Sequence, residues 1–383
     1  MWIARSLCVA LCAILAVGAL AQAQVRYTIT DLGANYSDVT MNNQGHIVGE
    51  RMNASTPWST DARLIHGSQS RPFWTGTIGG INDAGLVVGA LDGQSQTSDD
   101  RRAAIWQNGV TTMLPLPEGF KGSFATGVNN HGRVVGTLSW DGGTFDPNLG
   151  SVLPSRAGAF VWENGVIQNL NDLTSADAGM RLNTATDISD TGSIVGNGEA
   201  GSGRAIVGFL WKDGQVTNLD NCYPSAVNNS DQVVGDRFTF ATLGGLSNAF
   251  GFHAAIWQNG QATDLALLPG CSGNSARDIN NLGLVVGSSY STPATINAPS
   301  LSMATLWDGD KAYDLNDLIS PSAGYRLTSA ECINDVGQIL ATATMRLNDG
   351  TAATRTVLLT PVPEPATLAL LAVGGLATLR RRR

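Results

Sequence analysis

The chain reads as an all-β protein, a seven-bladed β-propeller of four-stranded antiparallel blades, with a six-bladed ring or a β-solenoid as the alternatives. Three observations predict it. One nine-residue phrase recurs seven times, a second phrase built around tryptophan alternates with it, and each end of the chain lacks a strand that the other end has to spare.

The elements follow in chain order. Arg5, an apolar stretch from Leu7 to Leu20, and Ala21-Gln22-Ala23 have the layout of a secretory signal peptide cleaved after Ala23. Residues 1–23 are therefore expected to be removed, leaving a repeat domain over 24–361 and a separate C-terminal segment over 362–383. That domain carries 18 basic and 30 acidic residues, a net charge of −12. Such a balance argues against nucleic acid and other polyanions, which need basic footprints, and leaves neutral or cation-bridged glycans.

The first phrase runs Met41–Gly49, Ile81–Gly89, Val128–Gly136, Ile188–Gly196, Val227–Gly235, Ile279–Gly287 and Ile333–Ala341. Each copy is a hairpin in which Asn or Asp side chains bond the local backbone and a Gly supplies positive φ before a β-branched pair. In the fifth copy Asp231 replaces that Gly. The second phrase places Trp106, Trp162, Trp211, Trp257 and Trp307 before an Asn-Gly, Asp-Gly or Gly turn and a strand that ends in Leu. Trp74 is expected to hold the same place in a unit whose Leu-strand is abbreviated or missing, and all six tryptophans to pack between blades. The units repeat every 39–60 residues, the length of a four-stranded blade.

Tyr27–Leu32 matches a Leu-strand and Arg355–Leu359 a Trp-strand, so pairing the ends would close the ring, from one C-terminal and three N-terminal strands. Alternating strand direction puts both tight turns of a blade at one end and both longer connections at the other. Long segments follow the Val-Val-Gly strands, which makes one face plain and the other elaborate. The elaborate face is expected to carry His66 and a ligand surface of Trp58, Trp140, Asp141, Asp146, Phe240 and Tyr290, since rings beside carboxylates suit carbohydrate.

Three cysteines remain in the repeat domain. Cys222 and Cys271 fall in equivalent loops of neighbouring repeats, which allows a disulfide between them, while Cys332 beside an apolar strand reads as a buried small hydrophobe. Turn chemistry accounts for the Asn/Asp pairs without a metal, and no cofactor is implied. Nucleophile elbows, zinc-binding His pairs and phosphate loops are absent from the sequence, so no catalytic residue is assigned and the chain is expected not to be an enzyme. A propeller hydrolase or lyase acting on glycans is the alternative. Three or more acids converging on the channel would favour it, and small or apolar lining would count against it.

The alternating phrases resemble the HAF repeats of bacterial extracellular proteins, a family whose membership implies no particular activity. The C-terminus, Val362-Pro363-Glu364-Pro365, an apolar run from Ala366 to Leu379 and Arg380–Arg383, resembles the PEP-CTERM sorting signal of exported Gram-negative proteins. Independently of that likeness, fourteen apolar residues span about 21 Å as a helix, short of the ~30 Å hydrocarbon core, and the arginines would stay cytoplasmic. Such a tail holds a chain in the membrane only transiently. The resemblance implies processing by exosortase at Pro-Glu-Pro and a cell-surface or biofilm-matrix destination. Exopolysaccharide is the expected ligand there, and a purely structural role the remaining reading.

Overall fold

The computed structural model describes residues 26–52, 60–92, 101–139, 145–146, 151–152, 157–175, 179–201, 205–243, 246–291, 301–347 and 350–362. They form five four-stranded antiparallel sheets, a two-stranded ribbon of Phe145–Asp146 with Ser151–Val152, and one seven-stranded sheet, in which a single long strand, Gln69–Ile81, serves two blades. Its first half pairs with Thr60–His66 and its second half with Val87–Leu91, so the sheet resolves into two four-stranded blades. The ring therefore has seven complete blades. The blade that sequence reading treats as damaged is whole.

Each blade starts at the channel with the strand that ends in the Ile-Asn phrase, followed outward by the Val-Val-Gly strand, the Trp-strand and the Leu-strand. Blade three shows the pattern: Gly122–Val128, Val134–Ser139, Ala157–Glu163 and Val166–Asn169. The long segments are thus connections inside a blade rather than between blades. Blade seven is built from Tyr325–Ile333, Ile339–Arg346 and Ala352–Val362, with the N-terminal strand Arg26–Gly33 outermost. Three C-terminal strands and one N-terminal strand close the ring, the reverse of the expected split. Hairpin signals alone fix which strands are neighbours and leave open where a blade begins.

The ladder that joins the Val-Val-Gly strand to the Trp-strand across the long connection, as in Val134 with Trp162, decides it. Every inner strand carries a register shift before its Ile-Asn phrase, as between Ala276 and Asp278. The bulged carbonyl presses on the glycine of the Val-Val-Gly strand: a Cβ on Gly136 would lie 2.0 Å from the Phe124 carbonyl, and one on Gly287 2.0 Å from that of Ser275. Gly89, Gly196 and Gly235 meet backbone in the same way, whereas Gly49 faces side chains and Ala341 holds this position in blade seven. At the far end of the third strand, Asn108 and Gly109 at φ 52° and 87° make the two-residue turn with both residues left-handed, and Asn259-Gly260 at 53° and 75° repeats it.

The core lies between blades. Val135, Ala159 and Val161 of blade three pack on Leu182, Ile188, Phe209 and Trp211 of blade four, and Ala226 and Val234 of blade five on Ile279 and Trp307 of blade six. Trp106, Trp162, Trp211, Trp257 and Trp307 occupy equivalent register positions, and Ile65 and Leu359 take that position in blades one and seven. Trp74 is buried but sits elsewhere, on the outermost strand of blade one. His66 ends the third strand of blade one beside the Gly67-Ser68 turn, on the plain face instead of the elaborate one.

The closing strand is held by more than its ladder. Arg355 donates to Asp31 at 2.7–3.2 Å and the Tyr325 hydroxyl donates to it at 2.9 Å. Burial would raise the Asp31 carboxyl, but these donors hold it below its ordinary value. Cys222, Cys271 and Cys332 are all free thiols, so the Cys222–Cys271 bridge is not formed. Cys222 is buried against Gly208, where burial pushes its thiol up to about 12. Among the described residues no helix is long and apolar enough to cross a membrane; the apolar N-terminal and C-terminal segments lie outside them.

Candidate functional site

At the plain end the seven Asn/Asp turns form two hydrogen-bonded rings around the channel mouth. In the first, the side-chain oxygen at the second motif position caps its own turn, as when Asn280 Oδ1 accepts from Leu282 N and Leu284 N at 3.1 and 3.0 Å. The same amide then donates to the next blade. Asn42 reaches the Asn82 carbonyl at 2.8 Å, Asn82 that of Asn129 at 3.0 Å, and Asn129 that of Ser189 at 3.1 Å. Asn228 to Asn280, Asn280 to Asn334 and Asn334 back to Asn42 follow at 3.1 Å each. Ser189 keeps the cap, through Ser193 N at 3.2 Å, but has no amide to donate onward.

The second ring uses the next residue in each turn. The N–H of Asn43, Asp83, Asn130, Asp190, Asn229, Asn281 and Asp335 each donates to the side-chain oxygen of its successor at 2.7–2.9 Å, and the last returns to Asn43. Four amides separate the three carboxylates, so no two acids are adjacent. Sequence reading finds the turns and misses the links, because the partner of each amide lies 39–60 residues away, or 292 away where a ring closes. In the fifth turn Asp231 takes φ 58° as the glycine would, and its carboxylate binds Lys212 at 2.7 Å and Ser193 at 2.6 Å.

The ring opens into a cavity of about 200 Å³ whose lining holds five acids, Asp83, Asp187, Asp190, Asp278 and Asp335, beside Thr40 and Cys332. Asp187 accepts from Val227 N at 2.9 Å and Asp278 from Ile333 N at 2.8 Å, each across a blade junction. Burial lifts Asp278 to about 7 against the Ile333 N–H, and the charge of Asp187 adds to the rise; burial raises Asp187 too. Five acids thus converge on the channel, more than the three that would favour a glycan-acting propeller, and three of them, Asp83, Asp190 and Asp335, are tied into the turn ring. Among the described residues no group of three His, Cys, Asp or Glu is arranged to hold a metal ion.

The opposite, loop-bearing end carries an aromatic cluster on blade five. Tyr223 and Phe238 have ring centroids 5.2 Å apart, and Phe238 meets Phe252 edge-on at 6.4 Å. Phe238 is buried, while Tyr223 and Phe252 are 41% and 37% exposed. Asp236 lies beside them, accepting from Ser275 Oγ at 2.8 Å and Ala276 N at 3.1 Å, and burial raises its carboxyl. Tyr290 of blade six lays its ring over Gly273, where a Cβ would approach within 2.5 Å, and burial and the Asp236 charge raise its hydroxyl.

Of the six expected ligand residues, Tyr290 is the one whose side chain is described, over Gly273 on blade six and within reach of the Asp236 charge. Trp58, Trp140 and Asp141 lie outside the described residues, as do the side chains of Asp146 and Phe240. Tyr223, Asp236 and Phe252 were missed. Strand pairing was the available signal, since Phe238 and Phe252 are directly opposite in register.

A family described as a protein of unknown function (DUF3466) matches residues 183–361, nearly all of blades four to six and the three C-terminal strands of blade seven, and the PEP-CTERM protein-sorting motif matches residues 361–383. These matches do not include a HAF repeat. No curated protein matches the chain in sequence. Among solved structures, the β-propeller domain of the Trilobed protease from Pyrococcus furiosus is similar at 14% identity, 75% of this chain, 86% of that one and TM-score 0.46. A protein of unknown function from Dyadobacter fermentans follows at 9%, 88%, 96% and 0.38, and the polysaccharide lyase Uly1 at 9%, 87%, 90% and 0.42. The sorting motif marks this propeller as an exported protein, addressed through exosortase to the envelope or surface of a Gram-negative bacterium.

Proposed function

We propose that the protein is a non-catalytic component of the cell surface or biofilm matrix that binds exopolysaccharide through its loop face. On this reading its seven phrases are HAF-type repeats. The observation that carries it is the cluster of Tyr223, Phe238 and Phe252 with Asp236 and Tyr290 beside it. Sugar C–H faces stack on exposed rings while a carboxylate accepts hydroxyl protons. The net charge of −12 over residues 24–361 disfavours polyanions, so a neutral or cation-bridged glycan fits best.

Size-exclusion chromatography of labelled host exopolysaccharide with the purified repeat domain tests it. Co-elution at undiminished polymer size supports binding, and absence of interaction would leave a structural role. A glycan-cleaving enzyme is the second reading, favoured by Asp187 and Asp278 in the channel, one of them raised to about 7. Shrinkage of the polymer that disappears in Asp278→Asn would establish it.

A further inference from the structure

Arg26 and Val362 are paired in blade seven, at the end where the other blades make their tight turns. We propose that this plain face is a membrane-apposed surface: while the tail is in place, the tight-turn end lies against the lipid bilayer and the loop face points away from it. The proposal rests on the reading of the tail as a sorting segment.

The tether is short. Val362 is the last residue of its strand and the apolar run begins at Ala366, so even a fully extended chain covers about 14 Å between them. A blade strand such as Ile339–Arg346 runs about 26 Å from the plain face to the loop face, at ~3.3 Å per residue. The tether is too short to bring the loop face to the bilayer by turning the propeller over.

The surface suits that neighbour. On the plain face, apolar side chains stand out on the turn tips beside the exit: Leu282 of blade six is 70% exposed and Val336 of blade seven 59%. Polar groups at the channel mouth are directed sideways into their own ring, as in the Asn281–Asp335–Asn43 links. The connections are turns of a few residues, so nothing long projects between this face and a flat partner.

The test exports the chain in a bacterial host without exosortase, so that the tail is retained, and places it in phosphatidylcholine vesicles containing nitroxide-labelled lipid. With Cys271 replaced by Ser, one fluorophore is attached through Val336→Cys on the plain face or Leu347→Cys at the loop end of the same blade. The lipid should quench the Val336→Cys label severalfold more than the Leu347→Cys label, and a long Gly-Ser insert after Val362 should shrink the difference. Equal quenching, or stronger quenching at the loop end, overturns the orientation while leaving the sorting reading intact. A chain that fails to enter the vesicles overturns the sorting reading and the orientation with it. Polysaccharide binding by the repeat domain is independent of both.

Discussion

Ser189→Asn should stabilise the propeller. Six blade junctions carry an amide from one turn to the carbonyl of the next, and the junction from blade four to blade five has none because position 189 is Ser. The Asn228 carbonyl already accepts from Asp231 N at 3.1 Å, just as Asn82 accepts from Gly85 N at 3.0 Å, but lacks the second donor that Asn82 receives from Asn42. Supplying it adds one buried hydrogen bond, about 0.5–1.5 kcal/mol net. At ~2.1 cal/mol/K per residue over the repeat domain, unfolding entropy is about 0.7 kcal/mol/K, so the midpoint should rise by about 1–2 °C. Asn280→Ser, which keeps the cap and deletes the link, should cost a similar amount. Thermal unfolding followed by circular dichroism reads both. If Ser189→Asn is neutral or destabilising while Asn280→Ser destabilises, the amide links are not the transferable unit argued for here.

Burial pushes Glu50 up to about 7, only partly offset by the Ile78 N–H that it accepts from the next blade at 2.6 Å. A carboxyl raised above its unfolded value near 4 stabilises below that value and loses the contribution as pH climbs through 7. Glu50→Gln should therefore raise the melting temperature at pH 8 and leave it unimproved at pH 4; equal effects at both would sink the assignment. Gly136→Ala should cost about 3 kcal/mol or more, since its Cβ meets backbone. Gly49→Ala should cost less in the same chemical denaturation, because its nearest neighbours are the side chains of Val39 and Ile65 at 2.8 and 2.9 Å. Finally, Tyr223→Ala and Phe252→Ala should each weaken polysaccharide retention about three- to tenfold, the worth of one ring contact. Unchanged retention in affinity electrophoresis would move the binding surface elsewhere.

Much of the fold was legible because its signals are local. Asn108-Gly109 and Asn164-Gly165 announce their hairpins within four residues, and seven copies of one phrase count the blades. What was illegible depends on pairs far apart. Ile65 carries no tryptophan, so the third strand of blade one passed for loop and Trp74 for its replacement, until the pairing of Ile47 with Ile65 placed it. The direction of closure was invisible for a related reason: the turn phrases look alike whether a blade is cut before the Trp-strand or before the Ile-Asn strand. The ladders of Val134 with Trp162 and of Arg26 with Val362 settle the matter, and only in three dimensions. The aromatic cluster needed the same information, since Tyr223 and Phe252 are ordinary residues until the hairpin from Val233 to Gln258 sets them around Phe238.

The pairing of Arg26 with Val362 gives the chain the logic of a circle cut once. In blade two the third and fourth strands are joined by Asn108-Gly109, and in blade seven the chain enters and leaves the ring at the same gap. The sorting motif thus follows directly on the place of a seventh hairpin turn. A circular permutant that bridges 362 to 26 with Asn-Gly and opens at another tight turn would retain every ladder pair, and would move the site of attachment around the ring without altering what the ring presents.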